Sequence, residues 1–126
     1  MARTQVANPS ITIVPNPNRV VVRLGREIIA DSTRALAMRY PGVPDVQYIP
    51  REDVDMSKLT PTTHATYCQY KGDASYWSIR SGSRSADNAV WSYESPYEQV
   101  APIKGHLAFY SDRVDSIEEL PAESRR

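Results

Sequence analysis

The stretch ASYWSIR, residues 74–80, contains Tyr76, Trp77 and Ile79, residue types that favour an extended strand. In an extended chain alternate residues share a face, so Trp77 and Ile79 lie on one side of a strand while Ala74 and Tyr76 lie on the other. The pattern indicates a β-strand, and we expect Trp77 in the core of the protein.

Comparable aromatic-rich segments flank this strand, at residues 66–70, 88–93 and 106–110. In the second of them, Ala89, Trp91 and Tyr93 are expected on one face of a strand. Upstream, the β-branched runs at residues 19–24 and 27–30 predict a hairpin around Gly25 and Arg26. Ten prolines leave few places for a long helix. These features predict an all-β domain.

The length and charge of the chain limit the classes of function. A chain of 126 residues suits a single domain. We expect an N-terminal extension at residues 1–18, a folded domain at 19–115 and a flexible C-terminal tail at 116–126. Lys plus Arg number 15, as do Asp plus Glu, so no excess of positive charge favours nucleic acid or an anionic membrane.

Cysteine content and hydropathy point to a cytoplasmic protein. Cys68 is the single cysteine, so no internal disulfide forms, in agreement with a reducing compartment. No apolar stretch approaches the roughly 20 residues that span a bilayer, and the N-terminus lacks the apolar core of a secretory signal.

Four ordered motifs resemble one protein family: YIPREDV at residues 48–54, TYCQYKGDASYW at 66–77, NAVWSYESP at 88–96 and GHLAFY at 105–110. The family is the domain of unknown function DUF427, which also carries a nucleotidyltransferase-like label. The resemblance covers residues 19–115 and implies a small β-tent-like domain of two sheets, similar to Mss-four-like proteins, with at most one or two short helices. It implies no established activity. Gln69 stands where the family usually has proline.

No metal or other cofactor is predicted. Related β-tent proteins often hold zinc on two cysteine pairs, and Cys68 alone cannot form such a site. The label suggests two-metal nucleotidyl transfer, for which a Gly-Ser turn is expected before an Asp-x-Asp pair. Gly82-Ser83 follows Asp53-Val54-Asp55 instead, so the order of the motifs does not favour this activity.

The motifs place charged and aromatic residues together, and we interpret them as a pocket between sheets for a small anionic or polar ligand. Lys71 and Gly72 would offer a cation and a turn to an anion. The candidate ligand-binding residues are Tyr48, Arg51, Asp53, Cys68, Lys71, Gly72, Tyr76, Trp91, Tyr93 and Glu94.

Two other classes of function stay open. One is an enzyme that uses Cys68 with His64, or Asp53 with Glu94, although His64 and Cys68 would be roughly 13 Å apart in an extended chain. The other is a protein-interaction domain with an exposed sheet edge, as a monomer or homodimer. Nucleic acid binding is not favoured, and no membrane partner is expected.

Overall fold

Strand β7 (Gly72–Ser81) separates two apolar clusters in the protein. The computed structural model describes residues 4–122. Trp77 and Ile79 belong to one cluster, and Ala74 and Tyr76 belong to the other. The alternation predicted for residues 74–80 is therefore confirmed, and Trp77 is buried as expected.

The strands form three antiparallel sheets within residues 4–122. The remaining strands are β1 (Thr12–Pro15), β2 (Arg19–Leu24), β3 (Glu27–Ser32), β4 (Leu36–Arg39), β5 (Val46–Tyr48), β6 (Leu59–Cys68), β8 (Arg84–Ser92), β9 (Ala108–Phe109) and β10 (Ser116–Leu120). The strand orders are β1-β4-β5, β10-β2-β3 and β6-β7-β8-β9. The last sheet contains β7 and lies between the two clusters.

The predicted all-β class is confirmed, but the fold differs in detail from the two-sheet domain that the family resemblance implies. The described residues form three sheets instead of two. They also contain three 3-10 helices, at Arg51–Asp53, Met56–Lys58 and Glu98–Ile103. The extra sheet arises because the chain leaves one sheet after Ser32, whose hydroxyl accepts the N–H of Arg34, and enters another at Leu36. None of the described helices has the length and apolarity needed to cross a membrane.

Both ends of the described chain contribute strands. β1 lies within the expected N-terminal extension and pairs with β4, with Val14 opposite Ala37. β10 lies within the expected flexible tail and pairs with β2, with Ile117 opposite Val22. Such short strands carry little periodicity of their own, and their hydrogen-bond partners are distant in sequence. The outer parts of the two predicted segments, residues 1–3 and 123–126, lie outside the described residues.

Because β8 contains a bulge, Ala89 does not share a face with Trp91 and Tyr93 as the sequence predicted. Ala89 packs in the cluster that contains Trp77, whereas Trp91 and Tyr93 belong to the other cluster. The register between β7 and β8 shifts in this region, and Asn88 adopts a positive φ of 49°. The bulge interrupts the strict alternation that the sequence argument assumed.

The hairpin between β2 and β3 forms at the predicted position. Gly25 and Arg26 have φ values of 63° and 72°, as a two-residue turn of the primed type requires. The hydroxyl of Ser81 donates to the carbonyl of Leu24 at 2.7 Å, which attaches the hairpin to the end of β7. The turn is therefore both left-handed and tightly packed.

We predict that Gly25→Ala destabilises the protein more than Gly82→Ala. Both glycines have a positive φ, which costs a side chain about 1–2 kcal/mol. A Cβ at Gly25 would also lie 2.9 Å from the carbonyl oxygen of Ser81, whereas a Cβ at Gly82 meets nothing within 4 Å. Urea unfolding should show a further loss of about 1 kcal/mol for Gly25→Ala. Equal losses for the two variants would contradict this packing argument.

Candidate functional site

A cavity of about 740 Å³ opens where the three sheets meet. Its volume lies in the range of small-molecule sites. Each sheet contributes lining residues: Met38, Val46, Gln47 and Tyr48 from β4 and β5; Tyr76, Trp91 and Phe109 from β7, β8 and β9; and Val22, Ile117 and Glu119 from β2 and β10. The cavity therefore exists only after distant strands have paired.

Fixed aromatic rings form one wall of the cavity. The ring centroids of Trp91 and Tyr110 are 4.5 Å apart with a tilt of 42°. Tyr48 meets Trp91 edge-on at 6.4 Å, and its hydroxyl accepts the indole N–H at 3.4 Å. Tyr48 is buried, while Trp91 and Tyr110 keep partly exposed surface. The contacts among Tyr48, Trp91 and Tyr110 thus hold the rings of Trp91 and Tyr110 in place at the cavity.

The tyrosine hydroxyls at this wall are neutral hydrogen-bonding groups. Those of Tyr76 and Tyr110 lie 3.2 Å apart. Burial raises the pKa of Tyr48 and of Tyr93 well above the ordinary value, and burial together with the neighbouring Tyr76 hydroxyl raises the pKa of Tyr110 to about 12. Because the phenols of Tyr48, Tyr93 and Tyr110 keep their protons near neutral pH, these three hydroxyls can donate as well as accept hydrogen bonds.

The hairpin turn between β6 and β7 positions Lys71 at the cavity. The N–H of Lys71 donates to the carbonyl of Cys68 at 3.1 Å, and its carbonyl accepts the N–H of Tyr97 at 3.0 Å. The half-buried side chain places its ammonium nitrogen 5.6 Å from the ring centroid of Tyr40 and 5.9 Å from that of Tyr93. No carboxylate among residues 4–122 forms an ion pair with it.

Two carboxylates also line the cavity, and each already has hydrogen-bond donors. Asp45 accepts from the guanidinium of Arg39 at 2.9 Å. Glu119 accepts from the side-chain amide of Asn16 at 3.0 Å and from that of Asn18 at 3.4 Å. Lys71 is the single cationic lining residue of the described chain.

The structure brings together five of the ten candidate residues, and the lining contains Tyr48, Lys71, Tyr76, Trp91 and Tyr93. Cys68 is half-buried, packs against the cluster of Tyr76 and has its sulfur 3.9 Å from the ammonium of Lys71, but it is not a lining residue. Gly72 starts β7 with a φ of 110°, which glycine tolerates.

The other three candidates lie outside the cavity lining. Arg51 stacks over Trp77 at 5.2 Å, pairs with Glu94 at 3.0 Å and donates to the carbonyl of Gly105 at 3.4 Å. Asp53 pairs with Arg34 at 3.2 Å. These contacts give the three charged residues structural partners that do not line the cavity.

The residues of the enzyme hypotheses have other partners. His64 is exposed and packs its ring 4.4 Å from that of Tyr76. Asp55 accepts from the backbone N–H of Ser57 and pairs with Lys58 at 3.2 Å. Residues 4–122 contain no group of three His, Cys, Asp or Glu side chains arranged to hold a metal ion.

Sequence reasoning missed several lining residues, namely Tyr40, Asp45, Gln47, Tyr110 and Glu119. Tyr110 belongs to the GHLAFY motif and was therefore within reach. Tyr40 and Asp45 flank a turn rich in proline and glycine, which carries no ligand-binding signal. Glu119 lies on β10, in the segment expected to be a tail, so nothing local could place it at a cavity.

The fold and cavity define a small all-β domain with an aromatic-lined site at a junction of sheets. The chain belongs to the family described as domain of unknown function DUF427, whose model matches residues 12–120. The matched range includes β1 and β10, which lie outside residues 19–115, the range over which the sequence motifs resemble the family. No curated protein matches the chain.

Because burial raises the pKa of Tyr48 and Tyr93, we predict a loss of stability in alkali. A phenol that holds its proton more tightly in the folded state stabilises that state fully below its ordinary pKa, 10.0, and this contribution falls as the pH rises above that value. The urea concentration at the unfolding midpoint should be lower at pH 11 than at pH 8. The difference between the two pH values should be smaller in the Tyr93→Phe variant than in the parent. An equal fall in both proteins would exclude Tyr93 as a source.

Proposed function

We propose that this domain binds a small polar ligand with an anionic group, which pairs with the ammonium of Lys71. One observation carries the proposal. Lys71 is half-buried at a cavity of ligand size, beside the rings of Tyr40 and Tyr93, and has no carboxylate partner among residues 4–122.

The surroundings of Lys71 favour an anion. Its ring contacts are worth roughly 0.5–2 kcal/mol, and they hold the charged group without neutralising it. A charge-assisted hydrogen bond from an ammonium to a ligand anion contributes roughly 1.5–3 kcal/mol. The lining tyrosines Tyr48 and Tyr93 add no charge of their own, so Lys71 sets the charge preference at this end of the cavity.

We predict that Lys71→Gln removes ligand-induced thermal stabilisation. The probes are acetate, benzoate, inorganic phosphate, citrate and adenosine monophosphate. An anion present at ten times its Kd should stabilise the parent by about 1.4 kcal/mol, which raises the Tm by roughly 5 °C. The Gln variant keeps a polar side chain, one atom shorter than that of lysine, but lacks its charge.

Lys104→Gln is the matched control. Lys104 is exposed, does not line the cavity and forms no ion pair within residues 4–122. Its replacement should leave the ligand-induced shift unchanged. A parent protein that responds to none of the probes, or a Lys71→Gln variant that responds as fully as the parent, would overturn the proposal.

A further inference from the structure

We infer, building on the proposed role of Lys71, that the ligand is a planar aromatic ring that carries a single carboxylate. The inference rests on the ring surfaces at the cavity and on the number and pairing of its charges. It goes beyond the proposed function because it chooses between carboxylates and phosphoesters, and between flat and puckered rings.

We call the rings of Trp91 and Tyr110 the stacking surface; they pack against each other with centroids 4.5 Å apart and a tilt of 42°. Tyr48 holds Trp91 by an edge contact and a hydrogen bond, and the guanidinium of Arg113 lies 5.2 Å from the ring centroid of Tyr110. Both rings line the cavity and keep partly exposed surface. Stacking between aromatic rings contributes roughly 0.5–1.5 kcal/mol beyond the burial of area, and a puckered aliphatic ring lacks this contribution.

The cavity offers a ligand a single cation. Lys71 provides the single unpaired positive charge of the described lining. Asp45 pairs with Arg39, whereas Glu119 accepts hydrogen bonds from the neutral amides of Asn16 and Asn18 and forms no ion pair within residues 4–122. A second negative charge on the ligand would find no cation and would be repelled by Glu119.

The turn that carries Lys71 has few donors for a phosphate group. Phosphate sites commonly combine several backbone N–H groups or an arginine with the lysine. Here the N–H of Lys71 donates to Cys68, and the N–H of Tyr97 donates to the carbonyl of Lys71. Arg51 is held by Glu94, away from the lining. One ammonium without these additional donors suits a carboxylate better than a phosphoester.

The experiment compares three probes by calorimetry at pH 7.5 and low salt. Benzoate is flat and carries one charge, cyclohexanecarboxylate is puckered and carries one charge, and phenyl phosphate is flat and mostly dianionic. Benzoate should bind the parent at least threefold more tightly than either of the other two. Trp91→Leu should reduce the preference for benzoate over cyclohexanecarboxylate to less than twofold, while Lys104→Gln should preserve it.

The outcomes separate this inference from the proposed function. Tighter binding of phenyl phosphate that depends on Lys71 would overturn the carboxylate assignment and leave the anion site standing. Equal binding of benzoate and cyclohexanecarboxylate would overturn the aromatic assignment. A lack of dependence on Lys71 for all three probes would overturn both proposals. If Trp91→Leu does not fold, Tyr110→Leu tests the same stacking surface.

Discussion

Burial of both faces of β7 is the constraint on which the rest of the structure depends. Its side chains alternate between Trp77 and Ile79 on one face and Ala74 and Tyr76 on the other, and all four are buried. A sheet that is apolar on both faces needs cover on both, because each exposed large side chain would forfeit roughly 1.5–3 kcal/mol. The sheets of β10-β2-β3 and β1-β4-β5 provide that cover.

The covering sheets also create the candidate site. β5 and β9 are joined through Ile49 and Leu107, whose backbone groups exchange two hydrogen bonds of 2.8 Å. This bridge holds the wall with Tyr48 next to the wall with Trp91, and the gap between the three sheets becomes the cavity. Tyrosines suit such a gap because each ring is apolar while its hydroxyl finds a polar neighbour.

Pairing between charges decides which cation is available to a ligand. Lys71 and Arg51 both lie in family-like motifs, and sequence alone treats them as equivalent members of one pocket. In the folded protein Glu94 and Trp77 occupy the guanidinium of Arg51, whereas aromatic rings surround the ammonium of Lys71. An ion pair forms when two side chains meet in space, so residue type and motif membership cannot predict it.

The sequence by itself determined the all-β class, the hairpin at Gly25 and Arg26 and the core position of Trp77. These features depend on alternation and turn chemistry within a few neighbouring residues. The tertiary structure alone decided the third sheet, the pairing of β1 and β10, and the presence of Glu119 at the cavity. These depend on contacts between segments far apart in the chain, whose partners no local pattern specifies.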